Sequence, residues 1–430
     1  MTTTGAAPRA GQDGDEGLEI ARLQVLSTVW SVVDHASGMQ DDIPALWARC
    51  ATEAAPTRVV RLLPAGETAP RSVDAPGVAD AADARATHPA TGQPARLPEE
   101  TLTVTDEQSG YRFASRVISS SIAEHVGKAL MLHAGALTVP GGDRAVALVA
   151  ASGTGKTTAS RVLAQQGWGY LTDECVAVGE DLTIQPLAKP LSVVTDPAAG
   201  RHLKHQVGPD ELGMAEPGEP AVLAGLVLLD RIRSDEQAAE ELREGPLPRT
   251  ESVGLVEALT HLAPQTSALS RTPGGLGRLA REVQRVGVHR LVYREIEECT
   301  GVLEDLVAAG PPEVEAFEEL TGEAAWDARP AVPAQEEPRP PVTERAPTWR
   351  RSAFSHAVVT GTGEAVVMVG SSLVALGPVG AVVWESLATA CREADLLKRV
   401  VGVLGEHPRA ERLTADALTA LWRQGMVEPA

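Results

Sequence analysis

The chain has 430 residues, of which 43% are hydrophobic and 22% are charged, values typical of a globular protein with two or three domains. Its 58 acidic and 38 basic residues give a formal net charge of -20. A field of that sign repels nucleic-acid phosphates and anionic lipid surfaces, so we expect neither nucleic acid nor a membrane as the partner.

The N-terminus and the cysteines indicate a compartment. Residues 1–17 are small, polar and acidic, without the basic and apolar regions of a signal peptide, and are predicted to form a disordered tail. No apolar run approaches the roughly 20 residues that a membrane-spanning helix needs. The four cysteines lie far apart and form no CxxC pair, which is typical of a reducing environment. We therefore predict a cytoplasmic protein.

Changes of composition divide the rest of the chain. We predict a small N-terminal subdomain, an α/β domain, a proline-rich semi-rigid linker and a compact C-terminal module, at residues 18–110, 111–320, 321–351 and 352–430. The pattern over 18–60 is amphipathic and helical in parts, with a core formed by Trp30, Val32, Val33 and Trp47. In the α/β domain, helices are predicted over 112–129 and 156–166, and strands over 130–139, 144–150, 169–171, 176–178, 223–229 and 289–293.

A glycine-rich loop lies between the strand at 144–150 and the following helix. It begins at Ala150, where the P-loop pattern has its first glycine, and ends in Gly155-Lys156-Thr157. Its glycines let backbone N–H groups approach an anion, and the helix N-terminus adds its positive dipole end. The loop predicts a site for ATP or GTP with Mg²⁺, in which Lys156 reaches the β- and γ-phosphates and Thr157 ligates the metal. The predicted nucleotide-binding residues are Gly153, Thr154, Gly155, Lys156, Thr157 and Thr158.

Two acidic residues follow the short strand after that helix. Asp173 and Glu174 are placed to hold Mg²⁺ or to accept a hydroxyl proton, so both are candidate catalytic residues, with Asp173 also a metal ligand. The alternative is a solvated acidic turn. His133, in the strand predicted at 130–139, is a third catalytic candidate, although a single strand histidine is more often a core residue.

These residues resemble the HPr kinase/phosphorylase-like P-loop proteins, particularly the HPr-kinase-related proteins of peptide-modification clusters. The resemblance covers about 110–300 and is carried by Leu132–Gly135, the P-loop, Gly167–Val176, Lys189–Ser192 and Val288–Tyr293. It implies an α/β fold in which a histidine and an acidic pair surround ATP–Mg²⁺, with one acid as the base for a serine hydroxyl.

Two positions depart from that family. Ala150 replaces a glycine, and Glu174 replaces the second aspartate of the pair. A carboxylate one methylene longer would be misplaced, and a shift of about 1 Å can cost on the order of 100-fold in rate. Nucleotide binding can therefore persist where catalysis does not.

The C-terminal module is predicted to contain paired strands near 366–368 and 373–376, then helices beginning near 381, 393 and 414. The last helix is predicted to be capped by Thr414 or Asp416 and to end at Gly425. This pattern resembles PqqD, a small winged-helix domain that recognises the leaders of ribosomally synthesised and post-translationally modified peptides (RiPPs). The resemblance implies that a leader adds as a strand to the sheet edge and packs against the last helix, at Leu373, Val374, Leu418 and Trp422.

Three functions remain open. The first is recognition of a RiPP precursor peptide on behalf of partner modification enzymes, with the kinase-like domain as an ATP-binding scaffold; daptide recognition proteins are the nearest type. The second is an active peptide Ser/Thr kinase, and the third is a regulator that acts on HPr. The fused peptide module and the altered acidic pair favour the first. A generic winged-helix module for dimerisation or DNA binding is the alternative at the C-terminus, and the acidity of the chain disfavours DNA.

Overall fold

A computed structural model describes residues 17–67, 97–151, 153–194, 204–311, 313, 315–333 and 348–430. Most of the tail predicted at 1–17 and the centre of the predicted linker lie outside these residues. The chain forms two compact units, one of Met1–Glu124 with Ala188–Leu212 and one of His125–Leu187 with Gly213–Ala430. Among the described helices, none combines the length and apolar character needed to cross a bilayer.

The first unit contains a four-stranded sheet in the order β1-β2-β3-β4, in which only β1 and β2 are antiparallel. A separate antiparallel pair, β11 and β12, lies further along the chain. The elements are β1 (Leu18–Val25), β2 (Thr28–Asp34), α1 (Asp42–Leu46), β3 (Arg58–Pro64), β4 (Glu99–Val104), α2 (Ser109–His125), β11 (Leu191–Val194) and β12 (Lys204–Val207).

The helical interpretation of residues 18–60 is wrong except for the short α1. The run that forms β2 is rich in β-branched and aromatic residues, which favour a pleated strand, and the turn before it places Leu26 at φ 54°. The predicted core is confirmed for Trp30, Val32 and Trp47, whereas Val33 is half-buried. The Trp30 indole N–H donates to Ser121 Oγ at 2.9 Å, so α2 packs on this sheet.

The second unit is built on a six-stranded mixed sheet in the order β14-β15-β13-β7-β6-β8. A smaller sheet has the order β10-β9-β5. The elements are β5 (Leu130–Leu132), β6 (Ala134–Thr138), β7 (Arg144–Val149), α3 (Lys156–Gln165), β8 (Gly169–Thr172), β9 (Val176–Val178), β10 (Ile184–Gln185), β13 (Val222–Arg231), α4 (Asp235–Glu244), β14 (Arg249–Ser252), α5 (Leu255–Leu262), α6 (Gly275–Val286), β15 (Val288–Tyr293) and α7 (Thr300–Ala309).

Helices cover both faces of this sheet. Ala145, Ala147 and Val149 of β7 share a hydrophobic core with α5 and α6. The opposite face lies against α3 and α7. Leu306 of α7 packs so closely on Gly225 of β13 that a Cβ atom on Gly225 would lie 2.8 Å from the Leu306 side chain. The predicted strand at 130–139 is interrupted at His133, because β5 and β6 belong to different sheets.

The C-terminal segment forms an antiparallel sheet in the order β16-β18-β19-β20, followed by three helices. Its edge strand β16 comes from the residues just before the predicted linker, and a short pair joins β17 to β21. The elements are β16 (Phe317–Thr321), β17 (Trp349–Arg351), β18 (His356–Thr360), β19 (Ala365–Val369), β20 (Ser372–Leu376), α8 (Pro378–Ser386), α9 (Glu393–Leu404), α10 (Ala410–Arg423) and β21 (Val427–Pro429).

Both faces of the C-terminal sheet are covered. Val358, Val366 and Met368 belong to the core that contains α5 and α6, whereas the alternate residues of the same strands pack with α8 and α10. Residues 322–324 continue along this segment, since the N–H groups of Gly322 and Ala324 donate to the backbone of Ser355 and Phe354 at 3.0 and 2.9 Å. The C-terminal segment is therefore packed into the second unit.

The helix predictions for this segment hold in part. The helix predicted at 393–404 is confirmed as α9. The last helix, α10, ends at Arg423 with Gln424 as its C-cap, and Gly425, the predicted stop, follows with φ 70°. However, α10 begins at Ala410 rather than near Thr414. The Thr414 hydroxyl donates to the Ala410 carbonyl at 2.8 Å within the helix, so neither Thr414 nor Asp416 is its N-cap.

Candidate functional site

The glycine-rich loop has the strand–loop–helix setting that phosphate binding requires. It joins the buried strand β7 to α3, and Gly155 is the residue immediately before the helix. Gly153 and Gly155 have φ of 78° and 110°, conformations that L side chains rarely adopt. The backbone conformation at these two positions therefore requires glycine. Ser152, which precedes Gly153, lies outside the described residues. The loop leads directly into the N-terminus of α3, which has no side-chain cap, and the first N–H groups of a helix are the donors that an anion site at a helix N-terminus uses.

Lys156 is held inside this loop. Its side chain is buried, and its ammonium donates to the carbonyl oxygen of Ala150 at 2.6 Å. Burial lowers the pKa of Lys156 from its ordinary value, while the negative charges of Glu174 and Asp173 act in the opposite direction. The three charges therefore belong to one electrostatic site.

The threonines of the loop differ in what they can offer. The Thr154 hydroxyl donates to the Ala151 carbonyl at 2.6 Å and so braces the loop itself. Thr157 is half-buried in the first turn of α3, whereas Thr158 is exposed. A hydroxyl and carboxylates are hard oxygen donors, so the residues of this site fit Mg²⁺, which one or two carboxylates plus phosphate oxygens commonly hold.

The sheet topology brings the predicted catalytic residues to one edge. β7 and β8 each pair antiparallel with β6, so their carboxyl ends lie at the same edge as the start of β6. The P-loop follows β7, Asp173 and Glu174 follow β8, and His133 precedes β6. Their grouping at this edge agrees with the sequence-based expectation, and their catalytic roles stay predictions.

The two acidic residues are not equivalent. Asp173 is 4% exposed, and its carboxylate accepts a hydrogen bond from the Tyr170 hydroxyl at 3.0 Å. Glu174 is half-buried, and its backbone N–H donates to Thr172 Oγ1 at 3.2 Å. Glu174 is therefore the more accessible carboxylate of the pair. It is also the position at which the HPr kinase-like proteins have aspartate.

A cavity of about 350 Å³ opens beside the P-loop, on the side of β13. His133 lies next to a residue of the cavity wall, because the backbone N–H of His133 donates to the carbonyl oxygen of Gln265 at 2.6 Å. The sequence analysis assigned no role to the polar residues of this cavity, although an apolar run ending in Asp230 could have drawn attention to β13. The cavity is lined by Val149, Ala150, Ala151, Leu228, Leu229, Asp230, His261, Gln265 and Arg290.

The predicted peptide-binding residues are only partly accessible. Leu373 and Val374 lie half-buried on β20, an edge strand of the described sheet. Leu418 and Trp422 are 0% and 6% exposed and belong to the core under α8 and α10. Their assignment as peptide contacts is wrong, because the helical face that carries them is already packed against its own domain.

Similarity of this chain to known proteins lies in its structure rather than in its sequence. No protein-family model and no curated protein matches it. Among solved structures, it is similar to the Hpr(Ser) kinase/phosphatase from Coxiella burnetii, with 14% sequence identity and a TM-score of 0.23. That match covers 42% of this chain and 94% of the other.

Proposed function

We propose that this protein recognises the leader of a RiPP precursor peptide through the edge of β20 and binds ATP or GTP with Mg²⁺ at its P-loop. In this proposal the nucleotide-binding unit is mainly a scaffold on which partner modification enzymes meet the captured peptide. The observation that carries the proposal is that no strand of the described part of the chain pairs with the outer side of β20, on a sheet built into the same unit as the phosphate loop.

The edge of β20 is suited to strand addition. β20 pairs with β19 on one side, and a two-residue turn fixes the register Val369↔Ser372 and Val367↔Val374. Because pairs alternate along an antiparallel ladder, Leu373 and Ala375 direct their backbone N–H and C=O groups outward. Ala375 is exposed, so an extended peptide can approach it. This is the β-augmentation mode, in which main-chain bonds give affinity and alternate side chains give selectivity.

The nucleotide part of the proposal is supported by the two positive-φ glycines and by Lys156 at the start of α3. The scaffold role is supported by the acidic pair, in which Asp173 is buried against Tyr170 and the accessible acid is Glu174. Phosphoryl transfer depends on how the reacting groups are positioned. The acidic pair of this chain has a glutamate where the HPr kinase-like proteins have their second aspartate.

The peptide site is tested by a backbone change at its centre. Ala375→Pro removes one outward N–H from β20, and Ala375→Val is a matched control that keeps it. Anisotropy of a labelled precursor peptide, encoded beside this gene, should show binding to the wild type and the valine variant. We expect affinity for the proline variant to fall about 10-fold or more, since one lost hydrogen bond and a clash both oppose strand addition. Equal affinities for all three proteins would exclude this edge.

An active peptide kinase is the second candidate. It is favoured by the grouping of Lys156, Asp173, Glu174 and His133 at one edge. In that case Asp173 or Glu174 would accept the proton of a Ser or Thr hydroxyl as the γ-phosphoryl group is transferred. Formation of ADP that depends on the peptide, and that Asp173→Asn abolishes, would support this function over the scaffold.

A further inference from the structure

Three arginines surround a second cavity, at the carboxyl ends of β13 and β15. This cavity has a volume of about 280 Å³ and is lined by Arg231, Ile232, Arg233, Arg294 and Glu295. Three guanidinium groups thus share it with one carboxylate, in a chain whose net charge is -20. Because β7, β13 and β15 are parallel neighbours, the cavity lies at the same edge of the sheet as the P-loop.

The strand ends that carry the arginines are held in place. Ile232, between two of the arginines, is buried in one cluster with Val292 of β15. Arg231 Nε donates to the carbonyl oxygen of Arg294 at 3.0 Å, which joins the end of β13 to the residue after β15. The two strands therefore form a fixed base for the arginine side chains.

The guanidinium groups are accessible to a ligand. Arg233 is exposed and forms no ion pair among the residues that the structure describes. Arg231 pairs with Glu295 at 2.9 Å, and Arg294 pairs with Asp235, but the side chains of both pairs are about half-exposed or more. Exposed ion pairs are weak, so an incoming carboxylate can compete for both arginines.

The donors of this cavity differ from those of a phosphate loop, which binds through converging backbone N–H groups. The N–H group of Ile232 is already bonded to the Tyr293 carbonyl at 2.8 Å. That of Arg233 is bonded to the side-chain oxygen of Gln237 at 3.1 Å. The guanidinium groups are therefore the donors that these residues offer, and their planar forks match carboxylates without help from the backbone.

We propose that the arginine cavity, formed by Arg231, Arg233 and Arg294, binds an acidic segment of the precursor peptide through its Asp or Glu carboxylates. The inference rests on the peptide part of the proposed function and adds a second contact to the edge of β20. The negative field of the chain repels an acidic peptide elsewhere, so a local basic site would set the orientation in which that peptide docks. A ligand that carries a phosphoryl group is the competing occupant.

The experiment is anisotropy of the labelled precursor peptide with the full chain, without nucleotide. The variant is Arg233→Gln, and Arg243→Gln is the matched control, because Arg243 is an exposed arginine of α4 outside the cavity. A second peptide carries Asn and Gln in place of every Asp and Glu. Labelled hexaglutamate is the probe for carboxylates alone, and calorimetry with inorganic phosphate is the probe for phosphoryl groups. Circular dichroism establishes that each variant is folded.

We expect Arg233→Gln to weaken binding of the acidic precursor about 2- to 5-fold, the range of one exposed ion pair, and high salt should reduce this difference. Arg243→Gln should behave as the wild type, and the neutral peptide should bind all three proteins equally. Hexaglutamate should show the same dependence on Arg233.

Two results would overturn the assignment. One is an equal effect of Arg233→Gln on the acidic and neutral peptides, including no effect on either. The other is inorganic phosphate that binds more tightly than hexaglutamate in a manner that depends on Arg233. Failure of the proposed function is distinguishable, because a folded wild type that binds no precursor would remove that function, while the hexaglutamate result would still decide whether the cavity binds carboxylates.

Discussion

The P-loop edge, where the carboxyl ends of β7 and β8 meet, and the C-terminal sheet edge, formed by the outer strand β20, are built in opposite ways. The phosphate loop is a contiguous stretch from Ala150 to Thr157, and its local geometry follows from its own glycines. The C-terminal sheet obtains one edge from β16, far earlier in sequence, and buries one face against α5 and α6. A short motif can therefore be interpreted alone, whereas the proposed peptide site depends on packing between distant segments.

The shared core gives the largest expected effect. Leu259 of α5 is fully buried in the cluster that includes Val366 and Met368. We expect Leu259→Ala to lower the free energy of unfolding by about 2–5 kcal/mol, and to weaken hydrogen-exchange protection in both β13 and β19. Leu413→Ala, at an exposed leucine of α10, is the control and should change stability by less than about 0.5 kcal/mol. Loss of protection in β13 alone would mean that the sheet is an independent module.

At the P-loop edge the largest effect should come from Lys156. Lys156→Ala removes the ammonium beside the loop, and a hydrogen bond to a charged group contributes about 1.5–3 kcal/mol. Nucleotide affinity should therefore fall about 10- to 100-fold in calorimetry, with peptide affinity unchanged. Lys398→Ala, which removes an exposed lysine of α9 paired with Asp395, should leave both affinities unchanged. A parallel loss of peptide binding would contradict the separation of the two edges.

A smaller effect tests the conformation of the loop. Gly155→Ala forces a side chain into φ 110°, and we expect it to cost about 1–2 kcal/mol in urea unfolding. The same substitution at Gly402, in open space within α9, should instead stabilise the protein by about 0.5–1 kcal/mol. Equal effects at the two glycines would show that the loop does not require its left-handed backbone.

The smallest effect concerns Glu385 in α8. Glu385 is exposed, but partial desolvation raises its pKa above the ordinary value of 4.5, Glu318 raises it further, and Arg351 acts in the opposite direction. A carboxyl with a raised pKa in the folded state destabilises that state as pH rises through the window above 4.5. Glu385→Gln should therefore be more stable than the wild type at pH 7, and this advantage should disappear below pH 4.5. An advantage that is constant from pH 4 to pH 7 would rule out titration of this group.

Much of the P-loop edge could be predicted from the sequence. The helices at 156–166 and 393–404 and the strands near 144–150 and 289–293 come from strong periodicity and clear stop signals, and the structure has them within a few residues. Asp173 and Glu174 were expected near the loop, because the carboxyl ends of neighbouring strands meet. The exposure of Asp230 could not be anticipated, since it depends on the pairing of β13 with β7.

The failures came from regions where long-range packing decides the structure. Residues 18–34 contain spacings compatible with a helix, but pairing of β1 with β2 outweighs local propensity. Leu418 and Trp422 lie on the apolar face of a strongly amphipathic helix. The sequence alone does not distinguish an apolar face that binds a ligand from one that packs into the core of its own domain. The structure places both in the core.

The central claim is capture of a peptide without its phosphorylation. It is tested most directly by mixing the full chain with MgATP and the precursor peptide, then recording the native mass of the complex and the intact mass of the released peptide. We predict a complex that contains peptide and nucleotide, with the peptide mass unchanged. A peptide that gains one phosphate with the wild type, but not with Lys156→Ala, would contradict the account.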